Sequence, residues 1–415
     1  MQISDTIRAL TAEAERALSE RFRAIDEVAM ANTEHVLDVF REHRVSEAMF
    51  SPSTGYGYGD TGRDTTDKIA ADLFRAEAGF VRSAIISGTH ALTVGLFALL
   101  RPGDTLLSVT GAPYDTLREV IGMDGKNGDG SLADFGVSYK EVPMTTAGTV
   151  DLAAVRAAIL DDGSVKVVFL QRSKGYLDRR TLSVSEIGEV AQLVKSLSKE
   201  IFVMVDNCYG EFTETVEPTA LGADLMVGSL IKNPGGGMAD TGGYLCGTAR
   251  AVELAGYRLS SPGVGIEAGA SLGQTRNILK GFFYAPHTVA EALKTATLAA
   301  YLFDKLGYEV SPAPFEARHD IIQTVKCKSA EGLVRFCRGI QSASPIDSHV
   351  TPEPWAMPGY ADPVVMAAGA FTGGSSIELS ADGPVRPPYI AYLQGGLTYE
   401  SGRLGIMRAA DEMLQ

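Results

Sequence analysis

The chain has 415 residues, 45% of them hydrophobic and 21% charged, and a net charge of −14. That length fits two domains, or one large α/β domain with a smaller partner, and the composition supports a buried core rather than disorder. The acidic balance disfavours nucleic acid and anionic membrane surfaces as partners, while leaving room for a local cationic pocket.

Cys208, Cys246, Cys327 and Cys337 make no C-x-x-C pair. A zinc ribbon, a thioredoxin-like motif and a disulfide framework are therefore not expected, and a reducing, cytoplasmic setting is. No ligand cluster suggests a metal. Met1 to Arg44 mixes charges with its apolar residues and does not read as a signal peptide. No stretch approaches the roughly 20 apolar residues of a membrane span.

In chain order, Ile7, Leu10, Ala14, Leu18 and Phe22 recur at helical spacing, and Ile25, Val28, Val36, Leu37 and Phe40 continue the pattern. This arm (1–48) packs either on a neighbouring domain or subunit or on its own core. The glycine-rich run from Ser51 to Arg63 is neither strand nor helix. Helix follows over Thr65–Ala78. Strands and helices then alternate: strand Ser83–Ser87, helix Thr89–Leu100, strands Thr105–Val109 and Val137–Val142, helix Leu152–Leu160. Next come strand Val165–Leu170, helix Val184–Leu197, and strands Ile201–Val205, Leu225–Val227 and Tyr244–Cys246. Such alternation predicts a mostly parallel, helix-covered sheet, giving an α/β large domain over 49–287. Thr288–Leu306 reads as a bridging helix into a small C-terminal α+β domain (288–415). Its short strands are expected near Ile322–Val325, Val364–Ala368 and Ile377–Leu379.

Gly57-Tyr58-Gly59-Asp60-Thr61-Gly62 has the form G-x-G-x-x-G, but Ser51-Pro52-Ser53-Thr54 before it is no strand, so the dinucleotide reading lacks its context. Ser87-Gly88-Thr89-His90 has a better one. A strand, a glycine turn and a helix start leave unpaired N–H groups and a helix dipole facing an anion, with the Ser87 and Thr89 hydroxyls as extra donors. Asp206 follows the buried strand Val203-Met204-Val205, at the sheet end where α/β proteins bind ligands. Lys232 follows the next strand, 26 residues on, before Asn233-Pro234-Gly235-Gly236-Gly237. Partly buried there, its amine becomes a nucleophile.

Each signal alone also fits an ordinary capped turn or loop lysine. Their order is the one a pyridoxal 5′-phosphate (PLP) site requires: phosphate on the helix N-terminus, Asp206 on the pyridine nitrogen, Lys232 as the Schiff-base lysine. At this point the chain resembles fold-type I, aspartate-aminotransferase-like PLP enzymes, specifically the cystathionine/methionine gamma-lyase group and its divergent "aluminium resistance" branch. The resemblance runs from about Phe50 to Met407. Its specific pieces are Ser87-Gly88-Thr89-His90-Ala91, Pro113-Tyr114-Asp115-Thr116-Leu117, Val205-Asp206-Asn207, Ser229-Leu230-Ile231-Lys232 and Gln394-Gly395-Gly396-Leu397-Thr398-Tyr399-Glu400.

By that resemblance, Tyr114 stacks on the cofactor and assists the leaving group, and Ser229 binds phosphate. The Tyr56/Tyr58/Arg63 loop supplies donors to a neighbouring subunit's phosphate. Arg386, with Arg172 as rival, grips the substrate carboxylate. A homodimer or homotetramer with shared sites is implied. So is β- or γ-elimination on a sulfur-containing amino acid such as methionine, cystathionine or cysteine. Three features depart from the family pattern: Tyr58 and Arg63 stand five apart where a Tyr-x-Arg is usual, Ile231 replaces a Thr before the lysine, and His90, to which no role is assigned, replaces the usual residue of the Ser-Gly turn. Fold does not fix reaction, so transamination, aldol cleavage, decarboxylation and a non-enzymatic PLP-binding role are the rival readings.

Overall fold

The Ser4 hydroxyl accepts the Ile7 N–H at 3.4 Å and starts the first helix, α1 (Asp5–Ala17), which α2 (Ser19–Glu42) continues. The computed structural model describes residues 3–414 except 124, 126, 127, 358 and 359. Both arm helices bury their apolar faces on their own chain. Ile7, Ala14 and Leu18 join a core with Leu302, Ile406 and Met407, while Ile25, Val36 and Val39 join Ile69, Phe74 and Phe282.

The large domain then runs α3 (Thr61–Leu73), β1 (Ala78–Arg82), α4 (Gly88–Leu99), β2 (Thr105–Ser108), α5 (Asp115–Ile121), β3 (Ser138–Glu141) and α6 (Leu152–Asp161). It continues through β4 (Val165–Gln171), α7 (Val184–Leu197), β5 (Phe202–Asp206), β6 (Leu225–Ser229), β7 (Gly243–Gly247) and α8 (Ala249–Leu259). Its seven strands lie in the order β1-β7-β6-β5-β4-β2-β3. β7 runs antiparallel to both its neighbours, and the other pairs are parallel. Apolar strands such as Val203-Met204-Val205 are buried on both faces, as a helix-covered parallel sheet requires. On one face α4 and α8 pack through Leu92, Leu96 and Val252; on the other α7 packs through Ile187, Val190 and Val194.

One strand expected in the large domain is misplaced. Ser83–Ser87 is a turn, and the strand is Ala78–Arg82. Its ladder to β7 and the burial of Phe80 and Val81 outweigh the apolar look of Ile85 and Ile86, the second of which is exposed. The bridging helix also starts earlier than expected, since α9 spans Thr275–Lys305 with Pro286 inside it. Burial of Phe282, Ala285 and Val289 carries the helix across the missing N–H.

The small domain holds β8 (Val310–Ser311), β9 (Gln323–Lys326), α10 (Ala330–Ser342), β10 (Val364–Ala367), β11 (Ser380–Pro384), β12 (Ile390–Gln394) and α11 (Tyr399–Met413). Its strands form an antiparallel sheet, β10-β11-β12-β9-β8. Ile377–Leu379, expected as a strand, precedes β11 as loop; its Ile377 N–H donates to the Ile231 carbonyl at 3.0 Å, tying the small domain beside Lys232. Among the described residues no helix is long and apolar enough to cross a membrane.

Candidate active site

Parallel strands deliver their carboxyl ends to one edge, and that edge gathers the polar groups. β5 ends on Asp206 and β6 on Ser229, both buried; α4 begins at Gly88 beside them. A Cβ added to Gly88 would stand 3.3 Å from Cys208 Sγ, 3.7 Å from Ser229 Cβ and 3.8 Å from Lys232 Nζ. The missing side chain therefore keeps a cradle open between the helix N-terminus and the lysine. The Ser87 hydroxyl accepts the His90 N–H at 3.0 Å and acts as the helix N-cap. His90 finds its role here: Nδ1 accepts the Ile86 N–H at 3.2 Å and braces the turn.

Lys232 Nζ lies 4.0 Å from the centroid of the Tyr209 ring. Burial works against its ammonium, but the surrounding Cys208, Tyr209, Asp206 and Tyr114 outweigh it and hold its pKa above the ordinary value. Burial pushes the Asp206 carboxyl up, against the pull of Lys232 and of the Cys208 N–H, which donates to Oδ1 at 3.1 Å. Tyr114 reaches the same place from the N-cap of α5. Its backbone N–H donates to Gln171 Oε1 at 3.0 Å, and its hydroxyl lies 2.9 Å from Thr89 Oγ1. Burial, and then the charge of Asp206, push its phenol well above the usual range, so it stays protonated.

Ser87, Gly88, Thr89, Tyr114, Asp206, Ser229 and Lys232 thus come together at one edge of the sheet. The arginines behave differently. Arg172 is wholly buried: its guanidinium donates to Asn207 Oδ1 (2.8 Å), the Gly210 carbonyl (3.1 Å) and Glu214 Oε1 (2.7 Å), with Glu217 at 3.5 Å. This corrects the expectation of a substrate-binding arginine, because those bonds leave it no open face; it braces the turn that carries Asp206 and Tyr209. Arg63 is 3% exposed and donates to the Gly57, Gly269 and Glu267 carbonyls and to Asp64. It clamps its own loop, which corrects its expected part as a phosphate donor. The loop's Tyr56 and Tyr58 are 76% and 64% exposed, with rings stacked 5.6 Å apart. Arg386, just past β11, is partly exposed and pairs with Asp362 at 2.8 Å.

Sequence reasoning passed over three groups. Arg179 is pinned by the Gln171 and Ser173 carbonyls (2.7 and 2.6 Å), and its charge reaches Asp206. Cys208 lies against Gly88. Asp382 is a buried carboxyl on the small domain that feels the charge of Lys232. Strand-end position could have flagged Cys208; the others depend on long-range packing.

The residues present fit PLP. A helix N-terminus with a Cβ-free cradle suits its phosphate, a buried carboxyl its ring nitrogen, and a half-buried lysine its aldehyde. Comparison with known proteins agrees. The family model described as methionine gamma-lyase matches residues 7–414. The Bacillus subtilis protein YnbB, itself uncharacterised, is 52% identical over 97% of this chain and 95% of its own. The crystal structure of a carbon-sulfur lyase involved in aluminum resistance from Clostridium novyi NT superposes with a TM-score of 0.95 at 47% identity, covering 99% of this chain and 96% of that one. A pyridoxal-5′-phosphate dependent protein from Escherichia coli, YhfS, shares the fold at a TM-score of 0.62 and 17% identity, over 93% and 96% of the two chains. The chain belongs to the methionine gamma-lyase family, an α/β fold of PLP fold type I whose cofactor is pyridoxal 5′-phosphate.

Proposed function

We propose that the protein is a carbon–sulfur lyase that eliminates a thiol from a sulfur-containing amino acid, by β- or γ-elimination, leaving a keto acid and ammonia. The observation that carries this reading is the gathering of Lys232, Asp206 and Tyr114 around the cradle at Gly88, with Asp206 buried and the other two half-buried. When bound, PLP supplies an electron sink for the substrate's α-carbon.

The chain's own groups do the rest. Asp206 would hold a proton at the ring nitrogen. The α4 N-terminus, Thr89 and Ser229 would hold the phosphate. Lys232 Nζ would take the substrate's α-proton; surroundings that favour its ammonium favour that transfer. For a γ leaving group the same amine serves the β-carbon. Tyr114, kept protonated by burial and by Asp206, gives its proton to the departing sulfur. Arg386 is the proposed grip for the substrate carboxylate. The exposed Tyr56 and Tyr58 are proposed to reach a partner's phosphate in a homodimer or homotetramer.

The test is the visible spectrum of the PLP-loaded protein, before and after adding L-methionine, L-cystathionine and L-cysteine in turn, with keto acid assayed. A yellow band that shifts with one of them while keto acid accumulates supports the reading. A band that shifts with no keto acid from any sulfur amino acid overturns it.

A further inference from the structure

The small-domain sheet turns two different faces to its surroundings. Ala381 and Leu393 pair across β11 and β12 and enter the domain core with Val325 and Leu333. Asp382 pairs with Tyr392, so both point to the opposite face. That face meets the large domain: Tyr392 packs with Ile322, Ile390, Tyr176 and Tyr209. Tyr209 is the ring beneath Lys232, and Tyr176 follows Gly175, whose Cβ position lies 3.2 Å from Tyr114 Cβ.

Asp382 therefore sits across the site from the lysine, and it is buried among tyrosines. Tyr176 is 5.0 Å from Tyr392 and 5.6 Å from Tyr360, centroid to centroid, with rings tilted by 52° and 49°. Among the described residues the hydrogen-bond partners of the Asp382 carboxyl are hydroxyls: that of Tyr176, and that of Ser375 with Oγ 3.5 Å away. Burial pushes its carboxyl up to about 7, against the pull of those hydroxyls and of Lys232. A buried carboxyl without a bonded cation is costly to keep. Ring faces and a carboxylate together attract one kind of guest, a cation.

We propose that Asp382, with Tyr176, Tyr360 and Tyr392, forms a cation-accepting subsite that selects sulfur amino acids whose leaving-group end carries an ammonium. The proposal rests on the lyase reading above and names its substrate class. An ammonium in the subsite holds Asp382 ionised; an apolar end leaves it unmatched, and an anionic end is repelled.

The experiment titrates the PLP-loaded protein with L-ornithine and with L-norleucine, followed by cofactor absorbance. The two are isosteric, the fourth side-chain atom being an ammonium in one and a methyl in the other, and neither has a leaving group. Ornithine is expected to bind about tenfold or more tightly, as for one charged hydrogen bond. In Asp382→Asn, which keeps the shape, that preference should vanish with norleucine binding unchanged. Equal affinities in the unaltered protein overturn the proposal even if the variant does not fold, and so does a preference that survives the substitution. Because the readout needs no cleavage, a preference without thioether cleavage counts against the lyase reading alone. Cleavage without a preference counts against the subsite alone.

Discussion

The Tyr114 hydroxyl lies 2.9 Å from Thr89 Oγ1, so the proposed acid for the leaving group is aimed by a residue of the helix turn that forms the cradle. Thr89 also lies 3.1 Å from Thr116 Oγ1 and so keeps a partner if the phenol oxygen is removed. Tyr114→Phe should lower kcat by roughly 100- to 10,000-fold, the range of a lost general acid. Its melting temperature should stay near that of the parent. Steady-state kinetics beside a thermal melt checks both; unchanged kcat would remove Tyr114 from the chemistry.

Gly88→Ala fills the cradle. Its methyl would stand 3.3 Å from Cys208 Sγ and 3.8 Å from Lys232 Nζ, where cofactor has to enter. The helix tolerates alanine. The apo variant should therefore melt normally but bind PLP at least about tenfold more weakly, about 1.4 kcal/mol of lost affinity. Fluorescence titration of the apo protein measures it.

Arg172→Met should act on stability rather than on substrate affinity. It removes the guanidinium from Glu214 and Glu217, leaving them their weaker partners, and frees Asn207 Oδ1, beside the turn that carries Asp206. Breaking a buried ion pair by removing one partner costs about 3–5 kcal/mol. A large drop in the urea midpoint is expected. A normal midpoint with a raised KM would instead return Arg172 to the substrate.

Glu211 makes stability depend on pH. Burial pushes its carboxyl up to about 8 from an ordinary 4.5, and its Oε1 accepts the Tyr244 hydroxyl at 2.7 Å. The folded protein keeps a proton that the unfolded chain releases. Its contribution is full below about pH 4.5 and is lost as the pH rises through about 8. Glu211→Gln keeps the acceptor and removes the titration. Its melting temperature should fall less steeply between pH 5 and pH 8.5 than the parent's, and an identical slope would contradict the assignment.

Much of the fold was legible because buried parallel strands write themselves as apolar runs, and Val184–Leu197 matches α7 residue for residue. Asp206 and Lys232 were legible because each follows such a run. β11 was not: Ala381-Asp382-Gly383-Pro384 carries turn residues, and it becomes a strand because β10 and β12 pair with it on both sides. Asp382 was hidden with it. Arg172 was misread for a related reason. Its position after a strand is visible in the sequence, whereas its carboxylate partners Glu214 and Glu217 lie over 40 residues away and meet it only through the fold.

The central claim is that Lys232 is the residue that bonds the cofactor. Lys174 provides an internal control, being a fully buried lysine, more enclosed than the half-buried Lys232, whose Nζ lies 3.3 Å from the Ser311 carbonyl. Borohydride reduction of the PLP-loaded protein, followed by peptide mass mapping, decides between them. A phosphopyridoxyl group on Lys232, absent from Lys232→Ala, is the predicted result. A label on Lys174 with Lys232 unmodified would contradict the account.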